Sequence, residues 1–400
     1  MKIALFTETY LPHVNGVVTH IKSLKEGLQM LGHEVLIVTS DNNTKEHYIK
    51  DGVLFCPGIT AKKFYNYSVS LPFSYERLKI LKDFNPDIIH VHNEFSMGLF
   101  GIHASKKLHV PLVYTLHTMY DDYLYYVFPK VLLKPAKYAA DRYFKHFADS
   151  SAAITGPSQK VYNYLREIGV DKNISVIPNS VEIDVFNPEN FTNEQKNEIR
   201  EKLKIPKDKM LVCFCGRLGK EKSIDVLIDY WHQTVKKEDN MHLLIIGDGP
   251  SHKELVAQVQ AHGMSDMVTF AGKILHKDIP PYYACCDAYI TASLSEMYSI
   301  SMLEGMASGL PVISRNDPEN ASQIQIGING FIYNDADEMY SYLVNIRDMS
   351  LEQRQELKNS VRKSVENSGA ADLANYLVGV YNGLSNENKP QNEKEEIKIG

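Results

Sequence analysis

Two carboxylates eight positions apart, Glu296 and Glu304, lie in the stretch ASLSEMYSISMLEGMASGLPVIS (292–314). The apolar run before them reads as a strand ending near Ser293. Glu296 then falls in a loop, and a helix starts around Ser299 or Ser301 with Glu304 in its early turns. Such a loop and first turn leave backbone N–H groups without intrahelical partners, at the positive end of the helix dipole, where a diphosphate is well held. Carboxylates on either side then suit sugar hydroxyls, one on a transferred sugar and one on a nucleotide ribose. The plainer alternative makes Glu296 a solvated loop residue and Glu304 a partner of the dipole. A second set, GRLGKEKS (216–223), places Arg217 and Lys222 around a glycine turn, as two cations that clamp a phosphate and steady a leaving diphosphate. Two basic residues at a helix start oppose the dipole, which favours a bound anion there. A third, ETYLPHVNGVVTHI (8–21), carries Gly16 where backbone can approach a phosphate from the opposite side.

A fourth set ends two apolar runs: His90, His92 and Glu94 in HVHNEF, and His117, Asp121 and Asp122 in TLHTMYDDY. Histidine and carboxylate together raise the question of a metal. Nothing follows the HExxH spacing, and the same residue types serve sugar hydroxyls, so no metal is expected. His90 is equally read as a satisfied buried histidine. GDGPSH (247–252) breaks the GxGxxG spacing, since position 252 is His, which rules against a nicotinamide cofactor. Asp335-Ala336-Asp337 follows the last apolar run, where helix capping is the simpler reading.

These residues need a scaffold that gathers strand ends. Short apolar runs recur at 2–8, 34–40, 52–58, 87–93, 111–117 and 151–158, then again at 210–217, 242–249, 268–274, 287–293, 311–316 and 330–334. They are continuous rather than alternating, which marks parallel strands buried on both faces. Helical spacing between them gives an α/β class with two Rossmann-like domains facing across a cleft. The expected division is 1–178 for the first domain and 179–204 for a hinge. Residues 205–370 form the second domain, 371–385 a helix returning to the first, and 386–400 a disordered tail.

At 400 residues, with 44% hydrophobic and 23% charged positions, the chain holds enough apolar material for two cores. No run of about 18 apolar residues occurs. The opening MKIALFTETY is not expected to act as a signal peptide, because Glu8 interrupts its apolar run. Five cysteines, none in a CxxC, read as reduced and partly buried, with Cys213 and Cys215 on one face of a strand. Residues 1–180 carry +4 and residues 181–400 carry −10. Either the first half meets an anionic surface or the asymmetry has no meaning. The basic, aromatic stretch 130–148 bears on this. Tyr143, Phe144 and Phe147 are expected to dip into a membrane interface while Lys130, Lys134, Lys137 and Lys145 meet anionic lipid. An ordinary helix packing those rings on the core is the alternative.

Taken in order, the E-x7-E pair Glu296/Glu304, GRLGKEKS, the GDGP turn, ASGLPVI, the N-terminal glycine loop and the TLH strand end resemble retaining glycosyltransferase family 4, over roughly residues 1–380. The resemblance implies a GT-B fold, with the nucleotide-sugar donor held mainly by the second domain. Arg217 and Lys222 would hold the diphosphate, Glu296 the donor sugar and Glu304 the ribose. The base would rest near Ile274, and Tyr298, Ser299 and Ile300 would line the donor. Gly16 would face the phosphates and His117 the sugar, with Glu94, Asp121 and Asp122 on the acceptor side. It also implies front-face transfer without an enzyme nucleophile or metal. Many members carry Gly where Tyr298 stands, which bears on the donor sugar. Within the family, TETYLPHVNGVVTHIKSLKEGLQMLGHEV, HVHNEFSMGLFG and YTLHTMYDDYLYYV look most like bacterial diacylglycerol α-glucosyltransferases. UDP-glucose is then the expected donor and diacylglycerol the acceptor. The place of work is the inner membrane face, with no nucleic acid involved. The competing expectations are a soluble or polymeric acceptor, a nucleotide-sugar 2-epimerase, and a non-catalytic binding protein.

Overall fold

The computed structural model describes residues 1–13, 15–61, 67–117 and 129–387. Two sheets organise the chain. The first contains β1 (Lys2–Phe6), β2 (Glu34–Asp41), β3 (Tyr48–Lys50), β4 (Val53–Ala61), β5 (Tyr67–Ser70), β6 (Ile88–Val91), β7 (Leu112–Thr115), β8 (Ala153–Gly156) and β9 (Ile174–Val176). Its order is β3-β4-β2-β1-β6-β7-β8-β9, with β5 also paired to β4. The pairs are parallel except those of β3 and β5 with β4. The second contains β10 (Met210–Cys215), β11 (Met241–Ile246), β12 (Val268–Gly272), β13 (Ala288–Thr291), β14 (Val312–Arg315) and β15 (Gly330–Tyr333), ordered β12-β11-β10-β13-β14-β15 and parallel throughout. In each sheet the order reverses beside the first strand. That reversal opens a crevice at the carboxyl ends of neighbouring strands. It falls between β1 and β6 and between β10 and β13.

The strands are apolar along their whole length because both faces are covered. In β10, Met210, Val212 and Phe214 enter one core while Leu211, Cys213 and Cys215 enter the core on the opposite face. In β1, Ala4 and Phe6 face one way and Ile3 and Leu5 the other. All five cysteines are buried thiols.

The first long helix, Gly16–Met30, is started by Asn15, whose side chain accepts from the Val18 amide at 2.9 Å. Its buried stripe of Val18, Ile21, Leu24 and Leu28 packs on the last helix, Ala370–Glu387, through Leu373, Ala374, Leu377 and Tyr381. Gly27 permits this, since a Cβ there would fall on the Ala370 carbonyl and meet the Ala374 methyl at 2.9 Å. Tyr381 also reaches His90 at 2.7 Å. The C-terminal helix is thus a structural part of the first sheet's unit.

The stretch 179–204 is folded. Val181 and Phe186 enter a core of the second sheet, and helix Asn193–Lys202 carries a capping box from Thr192 and Gln195. The chain passes between the units twice, and the two passes are joined by the Val181 amide donating to the Ser368 carbonyl at 2.8 Å.

The helix Leu133–Ser150 corrects one expectation. Phe144 and Phe147 are 4% and 0% exposed and pack in the first unit's core beside Tyr114 and Tyr164. The Tyr143 hydroxyl donates to the Glu94 carbonyl. These rings lie on the helix's inner stripe, so they are not offered to a membrane. Lys145 is engaged by the Gly169 carbonyl and Asp149. The outward face presents Tyr138 instead, and the short turn before the helix exposes Val131 and Leu132.

Candidate active site

The loops after β10 and β13 are tied together. Ser295 Oγ donates to the Glu221 carbonyl at 2.8 Å, and Lys222 Nζ donates to Glu296 Oε1 at 2.6 Å. Two candidates 74 residues apart in sequence therefore form one ion pair. Burial pushes the Glu296 carboxyl up, but the Lys222 ammonium and its hydrogen bond outweigh this and hold it below the usual carboxylate range. Arg217 flanks the same loop, with Nη1 3.9 Å from Glu221 Oε1. The GDGP turn backs it: Gly247 has φ +138°, and a Cβ there would fall on the Gly216 carbonyl. That close approach lets the turn shape the Arg217 loop.

Helix Ile300–Ala307 starts where expected. Ser299 is its N-cap and accepts from the Met302 amide at 3.4 Å. The first residue of that helix meets Gly16: a Cβ on Gly16 would lie 3.7 Å from Ile300 Cδ1. The Ile300 side chain of one unit thus packs on a side-chain-free point of the other. The Tyr298 ring is half-buried and packs on the core of its own unit.

Glu304 is buried and meets His276, whose Nε2 lies 2.6 Å from Glu304 Oε1. Burial raises the Glu304 carboxyl, and the His276 contact opposes the rise. The Glu304 hydrogen bond in turn raises His276 against its own burial. Ile274, two residues before His276, is half-buried beside the same core.

Across the cleft the chemistry changes. His117 follows β7, with Nε2 2.9 Å from His92 Nδ1. His20 from the first helix stacks edge-on to His117, with ring centroids 4.6 Å apart. Asn179 fixes the His20 tautomer. Its Nδ2 donates to the Tyr298 carbonyl at 3.0 Å, so its Oδ1 accepts from His20 Nδ1 at 3.0 Å. His20 Nε2 then presents a lone pair, and it is a buried nitrogen without a protein partner. Burial, then neighbouring imidazoles, holds His92 and His117 well below the usual histidine range, and burial lowers His20 to about 4. These rings are neutral near pH 7 and work as hydrogen-bonding groups. The ring nitrogens of His20, His92 and His117 lie within 4.8 Å of one another, so they are the grouping nearest to a metal-ligand set among the described residues. The His92–His117 hydrogen bond already uses one nitrogen of each of those rings.

Glu94, expected on the acceptor side, is held within its own unit. It is buried, and its carboxylate accepts from Tyr114 Oη at 2.7 Å. Asp121 and Asp122 lie outside the described residues. His90 sits between Tyr381 and Thr115, 2.6 Å from the latter, as a satisfied buried histidine. Asp335 caps helix Ala336–Asp348. Sequence reasoning missed His20, Asn179 and His276. Only the adjacency of His276 to the GKIL turn was visible beforehand.

Two doubly wound sheets, with cations and carboxylates at the strand ends of one and hydrogen-bonding imidazoles on the other, make a GT-B fold. The chain belongs to glycosyltransferase family 4. The family model for Glycosyltransferase Family 4 matches residues 14–185, and that for Glycosyl transferases group 1 matches 195–364. An alpha-monoglucosyldiacylglycerol synthase of Acholeplasma laidlawii is 31% identical over 372 residues, covering 92% of each chain. The enzyme of that name from Streptococcus pneumoniae is 33% identical over 335 residues, covering 83% of this chain and 75% of its own. The fold is shared with Anabaena Alr3699/HepE solved with UDP and glucose, at TM-score 0.71 and 16% identity, covering 96% of this chain and 99% of that one. The protein is a hexosyltransferase. No helix among the described residues is long and apolar enough to cross a membrane.

Proposed function

We propose that the protein transfers glucose from UDP-glucose to 1,2-diacylglycerol with retention of configuration, forming an α-glucolipid. The observation that carries the donor half is the Lys222–Glu296 pair beside Arg217, at the strand ends of the second sheet. Lys222 and Arg217 neutralise the diphosphate as it leaves, and the amide end of helix Ile300–Ala307 adds positive potential beside Gly16. Glu296 accepts from hydroxyls of the transferred sugar, Glu304 from the ribose, and the base rests on Ile274. His117, neutral, takes a sugar hydroxyl from the first unit. The departing phosphate oxygen receives the acceptor proton on the same face, so no enzyme nucleophile and no metal is used. The names of the Acholeplasma and Streptococcus relatives support the lipid acceptor, and the UDP and glucose in the Anabaena structure support the donor.

The protein acts as a peripheral enzyme at the inner membrane face. Lys134 and Lys137 on helix Leu133–Ser150, with exposed Tyr138 and Val131, form the surface that meets anionic lipid. The test is UDP release from UDP-glucose with diacylglycerol in anionic vesicles, with chelator present. Lipid-dependent release and an α-glucolipid product support the reading. Release that requires a divalent cation overturns the metal-free part, and release with soluble acceptors alone overturns the lipid part.

A further inference from the structure

A buried carboxylate that recognises a ligand needs its own support, because burial favours the neutral acid and leaves the side chain free to turn. Glu304 has that support from a residue given no role above. His276 Nε2 lies 2.6 Å from Glu304 Oε1, and an ionised carboxylate can only accept, so His276 donates. The other ring nitrogen, Nδ1, faces Glu182 Oε2 at 4.0 Å. Glu182 Oε1 accepts from Lys22 Nζ at 2.7 Å, and Lys22 lies on the helix Gly16–Met30 of the first unit, with Glu26 3.8 Å away. The row Lys22, Glu182, His276, Glu304 alternates in sign. It runs from the helix that begins at Gly16 to the helix that begins at Ile300. Phe186 lies against the His276 ring, at 5.8 Å between centroids. Tyr283, which also faces Glu304, gives its hydroxyl to the Ser301 carbonyl at 3.2 Å.

We infer that His276 is a positioning residue for nucleotide recognition: it keeps the Glu304 carboxylate ionised and aimed at the ribose, and through Glu182 and Lys22 it links that aim to the first unit. The inference rests on the reading of Glu304 as the ribose carboxylate. Glutamine at position 276 places an amide donor close to the position of Nε2 but carries no charge. Alanine removes the donor and leaves Glu304 facing a gap.

The experiment measures equilibrium binding of UDP and of 2′-deoxy- and 3′-deoxy-UDP to the full chain at pH 7.5, in wild type, His276→Ala, His276→Gln and Glu304→Gln. A second series follows UDP-glucose binding from pH 6 to 9, where that ligand's phosphates do not titrate. His276→Ala is expected to weaken UDP about tenfold, the scale of one charge-assisted hydrogen bond, and to erase the preference for UDP over a deoxy analogue. His276→Gln is expected to restore most of that preference. Because Glu304 raises His276, the wild type loses UDP-glucose affinity as pH climbs past the ordinary histidine range, and His276→Gln shows no such limb. Wild-type discrimination in His276→Ala, with discrimination lost in Glu304→Gln, overturns the role of His276 alone. Wild-type discrimination in Glu304→Gln overturns the ribose reading and this inference with it.

Discussion

The two sides of the cleft use polar groups in opposite ways. On the second sheet the polar groups are basic and acidic side chains in close pairs: Lys222 with Glu296, His276 with Glu304, Arg217 near Glu221. On the first they are imidazoles buried until neutral, namely His20, His92 and His117, with His90 behind them. The contrast follows from what each side is proposed to hold. A diphosphate carries charge and repays the cost of keeping cations partly out of water. Sugar and acceptor hydroxyls carry none, and a neutral ring nitrogen bonds them without a desolvated charge left over.

The largest test of this contrast is Lys222→Ala. It removes a cation from the leaving group and strands Glu296. A fall in kcat of roughly 10²–10³-fold is expected in the UDP-release assay, and a fall under tenfold breaks the assignment. Next comes acid stability. The folded-state values of His20, His90, His92 and His117 are depressed, so the unfolded chain takes up protons first as pH falls. Stability from these groups is full above their unfolded value near 6.5 and drains below it, by up to about 1.4 kcal/mol per pH unit for each. Glu296 has the same sign in a more acidic window: its lowered carboxyl stabilises above its unfolded value and is lost only as pH falls below it. The second sheet has one comparable histidine, His242, lowered to about 4. Hydrogen exchange at pH 7 and pH 5.2, corrected for intrinsic rates, should show the first sheet losing more protection. Equal loss in both sheets removes the distinction.

Gly27→Ala is expected to cost about 1–3 kcal/mol by forcing apart the first and last helices, measured by urea denaturation. No loss there would mean that the contact relaxes freely. Tyr381→Phe, which takes a partner from buried His90, is the smallest, at about 1 kcal/mol by the same measurement.

The parallel strands were legible in the sequence because burial on both faces writes them as unbroken apolar runs. Every strand of the second sheet falls within such a run, save that β11 begins one residue before its own, at Met241. The strands at Tyr48–Lys50 and Tyr67–Ser70 were not legible. They are short, they pair antiparallel with β4, and their residues include Lys50, Ser68 and Ser70, so no run stands out. Ile174–Val176 is a three-residue edge with the same difficulty. In the candidate site, Glu296, Glu304, Arg217 and Lys222 stand out in the sequence by type and spacing. The pairing of Lys222 with Glu296 does not, because a contact across 74 residues leaves no local pattern. The Tyr114 contact of Glu94 was equally hidden: a carboxylate at a strand end reads as available, and its bond to a residue 20 positions on leaves no local pattern. The rings of helix Leu133–Ser150 misled, since an aromatic stripe reads alike whether it packs on a core or on lipid.

The close packing at Gly27 has a consequence for synthesis. The apolar stripe on Gly16–Met30 is among the first parts of the chain to be made, and the helix that covers it is the last. A ribosome adding about 5–20 residues per second leaves the stripe uncovered for roughly 20–70 seconds. During that interval the emerging first half carries a sticky groove, suited to a chaperone or to the wrong neighbour. A stop codon anywhere before residue 370 makes that interval permanent.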